Sequence, residues 1–205
     1  VVLISGAGGS IGSELARQVL ACRPAKLLLY ELSELALYHI EMELRQQAED
    51  GHVDLVPILG SITDPRQVRQ VLVEHGVQVV IHAAAYKHVP LVEANPLSGL
   101  TNNVLGTQTL AREAAEARVE RFILVSSDKA VRPVSVMGAS KRLAELVVQD
   151  LAARSDGTIF TMVRFGNVLG SSGSVVPLFQ DQVSRGGPVT VTHPDVMRYF
   201  MTVRE

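Results

Sequence analysis

Short apolar runs alternate along the chain with longer stretches in which apolar residues recur every three or four positions. The runs, rich in leucine and β-branched residues, fall at 1–5, 26–30, 53–59, 77–82, 121–126 and 158–164, and a segment of helical spacing follows each. Ile11, Leu15 and Val19 form one apolar stripe, and Leu35, Tyr38 and Met42 form another. Asp64-Pro65 and Asn95-Pro96 mark helix starts, because the polar residue can cap and the proline needs no amide hydrogen at the first helical position. Six strands with intervening helices, connected right-handed, predict an α/β fold: a doubly wound parallel sheet of the Rossmann type.

After 165 the rhythm stops. Gly- and Ser-rich loops, one helix near 174–185, and Pro188 and Pro194 around a short strand take its place. Residues 1–165 are expected to form a nucleotide-binding domain that includes the catalytic residues, and 166–205 the beginning of a small substrate-binding lobe. The chain starts inside an apolar run, Val1-Val2-Leu3-Ile4, and stops at Arg204-Glu205 without a closing element, which reads as a piece of a longer protein.

Composition narrows the function classes. With 205 residues, 47% hydrophobic and 20% charged, the chain can bury one good core. A net charge of −2 leaves no basic footprint for nucleic acid or an anionic membrane. No run approaches the roughly 18 apolar residues of a membrane span, so no membrane contact is expected of these residues. Cys22 is the single cysteine, which excludes an internal disulfide and fits a reducing compartment. No metal is expected, since His82 and His88 stand six apart across a loop and Cys22 has no partner.

The first strand-to-helix turn carries candidate chemistry. Gly6, Gly9 and Gly12 are spaced G-x-x-G-x-x-G, with Gly8, Ser10 and Ile11 between them; the stricter G-x-G-x-x-G spacing fails at Ile11. Bare amides at a helix N-terminus suit a diphosphate, and the other reading is a plain tight turn. Glu31, nineteen residues after Gly12 at the end of the second strand, can accept hydrogen bonds from an adenosine ribose and repel a 2′-phosphate. That favours NAD and leaves NADP as the alternative; a solvated loop acid is the competing reading. Ser127, Asp128 and Lys129 end the fifth strand, on the carboxyl edge where sites form in such sheets.

The runs Gly6 to Glu14, His82 to Pro90, Asn103 to Thr107, Ser127 to Lys129, Val163 to Pro177 and Thr192 to Phe200 together resemble the nucleotide-sugar 4,6-dehydratases of bacterial polysaccharide and glycoprotein biosynthesis, extended short-chain dehydrogenases acting on UDP-N-acetylglucosamine. Where such dehydrogenases carry Tyr-x-x-x-Lys, this chain reads Met137-Gly138-Ala139-Ser140-Lys141, and a thioether cannot take a proton. Methionine there resembles the large, membrane-anchored subgroup, which implies a full-length protein at the cytoplasmic face of the bacterial inner membrane and a homo-oligomer.

The resemblance implies a reaction and a set of roles. Hydride leaves sugar C4, water is lost across C5–C6, and hydride returns to C6, with retention at C5 favoured by the methionine subgroup. Asp128 is implied as the acid for the departing hydroxyl, Lys129 as the base at C5, and Ser127 as the hydroxyl at the 4-oxygen. A base at Lys129 needs a lowered pKa, toward which a nearby ammonium such as Lys141 would push; an acid at Asp128 needs a poorly hydrated site. Lys141 is implied at the nicotinamide ribose, and Met137 as a pocket wall that moves no proton. Ala83 and Ala84 would flank the cofactor, and Ser61 and Ile62 the adenine, where relatives show an acid instead. Lys87, His88 and Asn103 would shape the sugar end, and Asn167 and Arg198 the substrate diphosphate. Two other classes stay open: a UDP-sugar 4-epimerase or reductase of the same superfamily, and a catalytically silent NAD-binding module regulating a membrane glycan complex.

Overall fold

The computed structural model describes residues 1–48, 53–170, 175–191, 193–195 and 197–203, and divides them between two compact units, Val1–Arg164 and Phe165–Glu205. Ser171 to Ser174, Thr192 and Val196, which belong to the runs quoted above, lie outside the described residues, as do Arg204 and Glu205.

In the first unit six strands alternate with helices: β1 Val2–Ser5, α1 Ser10–Ala21, β2 Lys26–Glu31, α2 Glu34–Gln47, β3 Asp54–Leu59, α3 Pro65–Glu74, β4 Val79–His82, α4 Val89–Ala94, α5 Pro96–Leu100, α6 Gly106–Glu116, β5 Arg121–Val125, α7 Val136–Arg154 and β6 Ile159–Val163. All neighbouring strands pair in parallel, in the order β3-β2-β1-β4-β5-β6. That order reverses between β1 and β4, and the crevice outside the carboxyl ends of those strands is where ligands bind in doubly wound sheets.

Two apolar layers cover the sheet. Leu3, Leu28, Val80, Phe122 and Leu124 face α3, α6 and α7, while Ile4, Leu27 and Leu29 face α1 and α2. The central strands are buried on both sides, which is why they read as unbroken apolar runs.

Two expectations need correction, and a third is refined. In α2 the buried stripe is Leu37, Ile40 and Leu44; Leu35, Tyr38 and Met42 point outward at 65%, 55% and 43% exposure. Both stripes have helical spacing, and periodicity does not say which one meets the sheet. In α1 the buried residues are Gly12, Ala16 and Leu20, and Leu15 and Val19 of the stripe named above pack beside them, partly buried, against the same core. Asp64 caps α3 as expected, its carboxylate accepting from Arg66 N and Gln67 N, but Asn95 caps nothing and instead donates to Leu91 O at 3.0 Å.

The second unit holds β7 Asn167–Val168, α8 Val175–Ser184 and β8 Phe200–Met201, with β7 and β8 paired in parallel. No strand forms among the described residues between Pro188 and Pro194; the strand lies further on, at β8.

Candidate active site

The turn from β1 into α1 is compressed. Gly6 sits at φ +70°, and a Cβ there would lie 2.7 Å from the Ala84 backbone; a Cβ on Gly12 would overlap the Gly6 carbonyl oxygen. These glycines are therefore required by close packing as well as by any ligand. Gly9 caps α1 without a side-chain hydrogen bond, so that no side chain stands over the helix N-terminus, where anions are favoured.

Glu31 is anchored rather than loosely solvated. Gly8 N donates to its Oε2 at 3.0 Å, and Leu32 N and Ser33 N donate to its Oε1 at 2.9 and 3.0 Å. The carboxylate is thus fixed at a pocket of about 330 Å³ whose wall includes Gly8, Tyr30, Ser61, Ile62 and Ala84. Ser61 is turned inward: its hydroxyl lies 2.7 Å from Thr63 Oγ1 and accepts from Thr63 N, so it is not held ready for an adenine amine. Ile62 shows the pocket only an edge, since most of it packs toward Gly106 at 4% exposure.

A second pocket, of about 470 Å³, joins the α1 N-terminus, through Gly9, Ser10, Ile11 and Gly12, to Ala83, Tyr86, Lys87 and His88 after β4. The two pockets share Gly9, Ala83, Ala85 and Tyr86, and so form one groove across the strand-order reversal. Partial burial lowers the Lys87 ammonium from its ordinary value.

Asn103 holds this groove together from behind. It lies in a single wider π turn, Thr101–Leu105, between α5 and α6, a distortion common at functional sites. Its side chain accepts from Tyr86 N at 2.8 Å and donates to Tyr86 O at 3.0 Å and Ser140 Oγ at 2.9 Å. At 1% exposure and with these partners Asn103 cannot contact a substrate; it fixes the loop that carries Lys87 and His88. His82, below the loop, is also saturated. Thr107 Oγ1 donates to Asn103 O, so it must accept from His82 Nε2, and His82 Nδ1 accepts from Ser5 Oγ. Burial, then the Lys141 charge, pushes this imidazole down to about 3, leaving it neutral.

Ser127, Asp128 and Lys129 form one cluster in a short turn past β5. Lys129 Nζ lies 3.1 Å from Asp128 Oδ1, Ser127 Oγ donates to the same oxygen at 3.0 Å, and Lys129 N donates to Ser127 Oγ at 3.2 Å. The Asp128 side chain is 44% exposed, so the poorly hydrated acid expected from the resemblance is not found here. Lys129 faces that carboxylate, while Lys141 is directed elsewhere.

Lys141 is 7% exposed and donates to Val125 O at 2.7 Å. Burial pulls its ammonium down to about 8, against the opposing charge of Glu145. Met137, in the first turn of α7, is 3% exposed and fills space; it lines neither pocket, and nor do Ser127, Asp128, Lys129 and Lys141. Glu145, which the sequence reading passed over, is fully buried; burial would raise its carboxyl, but hydrogen bonds from Arg164, Ser126 and Arg142 hold it down to about 2. Its place one turn after Lys141 was the available signal. Tyr86 was also passed over, though it adjoins Lys87 and lines both pockets.

In the second unit the β7–β8 pairing sets Asn167 opposite Phe200, two residues from Arg198. Asn167 Nδ2 donates to Tyr199 O at 3.3 Å, and Arg198 is exposed.

The donors fit a dinucleotide. A side-chain-free cradle at a helix N-terminus, an anchored carboxylate nineteen residues on, and a buried lysine are what a diphosphate and two riboses require. Among the described residues no three His, Cys, Asp or Glu side chains gather as a metal site, and no helix is long and apolar enough to cross a membrane.

Fold and groove together define an α/β dinucleotide-binding enzyme fold of the extended short-chain dehydrogenase type. Residues 2–205 match the family described as "Polysaccharide biosynthesis protein", and the chain belongs to that family. Over 204 residues it is 48% identical to the capsular polysaccharide biosynthesis protein CapD of Staphylococcus aureus and 46% identical to the probable polysaccharide biosynthesis protein EpsC of Bacillus subtilis. All of this chain is covered in both cases, but it spans only 34% of either relative. A UDP-glucose 4-epimerase of Rickettsia rickettsii is 32% identical, over 98% of this chain and 59% of its own. Among solved structures, Pen of Bacillus thuringiensis superposes with a TM-score of 0.90 at 32% identity, covering 98% of this chain and 63% of that one. DesIV of Streptomyces venezuelae, a dTDP-glucose 4,6-dehydratase solved with NAD, gives 0.83 at 26% identity, with 98% and 68% covered.

Proposed function

We propose that the chain is the NAD-dependent catalytic part of a nucleotide-sugar 4,6-dehydratase that acts on UDP-N-acetylglucosamine in bacterial polysaccharide biosynthesis. The observation that carries this reading is the Ser127-Asp128-Lys129 cluster at the carboxyl end of β5, beside a buried Met137 that can move no proton. Bound NAD would supply one piece of chemistry, acceptance of a hydride from C4 and its return to C6. The groove amides and Glu31 bind and orient that cofactor, and Lys141 keeps N–H donors beyond the one given to Val125 O.

Elimination then needs an amine at Lys129 to take the C5 proton and a carboxylic acid at Asp128 to protonate the departing C6 hydroxyl. Lys129 enters as the amine, 3.1 Å from Oδ1, and gives the C5 proton back when hydride reaches C6. Ser127, whose hydroxyl donates to Oδ1, is placed to pass the 4-hydroxyl proton to Asp128 as hydride leaves C4, and that proton departs with the C6 hydroxyl as water.

The second reading, a 4-epimerase, is favoured by the epimerase relatives, and Met137 weighs against it because an epimerase needs a proton acceptor there. Incubation of the purified protein with NAD and UDP-N-acetylglucosamine separates the readings by proton NMR. A 4-keto-6-deoxy sugar supports the dehydratase, and its couplings give the C5 configuration. UDP-N-acetylgalactosamine would mean an epimerase, and no product a silent module.

A further inference from the structure

The segment that carries Ser127, Asp128 and Lys129 springs from two residues, Val125 and Ser126, and α7 grips both. Lys141 Nζ donates to Val125 O at 2.7 Å. One helical turn later, Glu145 Oε1 accepts from Ser126 Oγ at 2.6 Å. The same carboxylate takes Arg164 at the end of β6, through Nε at 2.7 Å and Nη2 at 2.6 Å, and Arg142 Nη1 at 2.9 Å. Ser126 N donates to Val163 O at 2.8 Å, so Ser126 is tied by backbone to β6 and by side chain to α7.

A carboxylate with no exposed surface is costly unless each oxygen is satisfied, and two arginines alone would satisfy this one. The Ser126 hydroxyl adds little to that balance. Its effect is geometric: it removes the freedom of the residue directly before Ser127. α7 also closes on the turn from its other end, where a Cβ on Gly138 would lie 2.5 Å from Lys129 O. Proton transfer between groups held to a few tenths of an ångström is sensitive to such slack.

We infer that Glu145 is a positioning residue for the Ser127-Asp128-Lys129 segment, acting through the Ser126 hydroxyl, and that this contact sets the rate of proton transfer while leaving cofactor binding untouched. The inference rests on the proposed role of that segment. Glu145 itself is a poor probe, because Glu145→Gln turns an amide toward the arginines and can prevent folding. Ser126→Ala leaves the Glu145–arginine contacts in place, and Ser126→Thr restores the hydroxyl.

The experiment compares these two variants with the wild-type protein in kcat and KM for the nucleotide sugar, Kd for NAD, Tm, and hydrogen exchange at the amides of Lys129, Ala130 and Val131. Ser126→Ala should lower kcat at least tenfold and speed exchange at those amides at least tenfold, with KM and Kd within about threefold and Tm shifted by a few degrees; Ser126→Thr should recover kcat to within about threefold. A folded Ser126→Ala protein with kcat within twofold of wild type and unchanged exchange overturns the inference, as does a fall in Tm with no change in kcat. If the wild type turns over no nucleotide sugar, the dehydratase reading fails by itself, and exchange at the three amides still decides whether Ser126 fixes the segment.

Discussion

Two buried or anchored side chains set measurable properties at the scale of single residues. His82 is neutral in the fold, with its imidazole pushed down to about 3 from an ordinary 6.5. The unfolded chain takes up a proton there as pH falls through 6.5 and the folded chain does not, so this contribution to stability is complete above 6.5 and is lost progressively below it. By pH 5 the loss should be roughly 2 kcal/mol, and urea unfolding at a series of pH values should show it. His82→Gln should flatten the curve in that window; parallel curves would mean that His82 does not carry the acid sensitivity. Under the proposed function, Glu31 sets cofactor choice. Its carboxylate lines the groove and is fixed by Gly8 N, so Glu31→Ala should weaken NAD at least tenfold more than NADP in binding titrations. A wild type that already prefers NADP would contradict the assignment.

At the scale of elements, packing decides which of two equivalent patterns is used. Leu44 is fully buried on the inner face of α2 and Met42 is 43% exposed on its outer face. Leu44→Ala should therefore cost about 2–5 kcal/mol of unfolding free energy, and Met42→Ala less than about 1 kcal/mol, both by chemical denaturation. Equal costs would place the helix in the wrong rotation. The six strands were legible in the sequence to within two residues, because β1 to β6 are short apolar runs set between turns. The inward face of α2 was not, since Leu35, Tyr38 and Met42 repeat as regularly as Leu37, Ile40 and Leu44. Asp64-Pro65 gave a true cap, whereas the Asn95 amide found a nearer acceptor in Leu91 O.

For the whole molecule, the groove was legible because its parts follow strand ends: the glycine turn after β1, Glu31 at the end of β2, and Lys87 after β4. What the sequence hid were the long-range ties. Asn103 reaches from the π turn to Tyr86 and Ser140, and Glu145 from α7 to Ser126 and Arg164, contacts made by residues far apart in the chain. The strand expected between Pro188 and Pro194 failed for a related reason, as a run of β-formers needs a partner and the partner of β7 is Phe200–Met201.

The central claim is that proton chemistry belongs to Ser127, Asp128 and Lys129 and not to position 137. Its most direct measurement is the rate of 4-keto-6-deoxy product from UDP-N-acetylglucosamine, in heavy water, for Lys129→Ala and Met137→Leu beside the wild type. Leucine keeps the volume and apolarity of the buried methionine, so Met137→Leu should turn over within about tenfold of wild type, or about 1.4 kcal/mol of barrier. Lys129→Ala should form no product, while bound NAD is still slowly and partly reduced when the sugar is added. Product from Lys129→Ala at the wild-type rate, with none from Met137→Leu, would contradict the account.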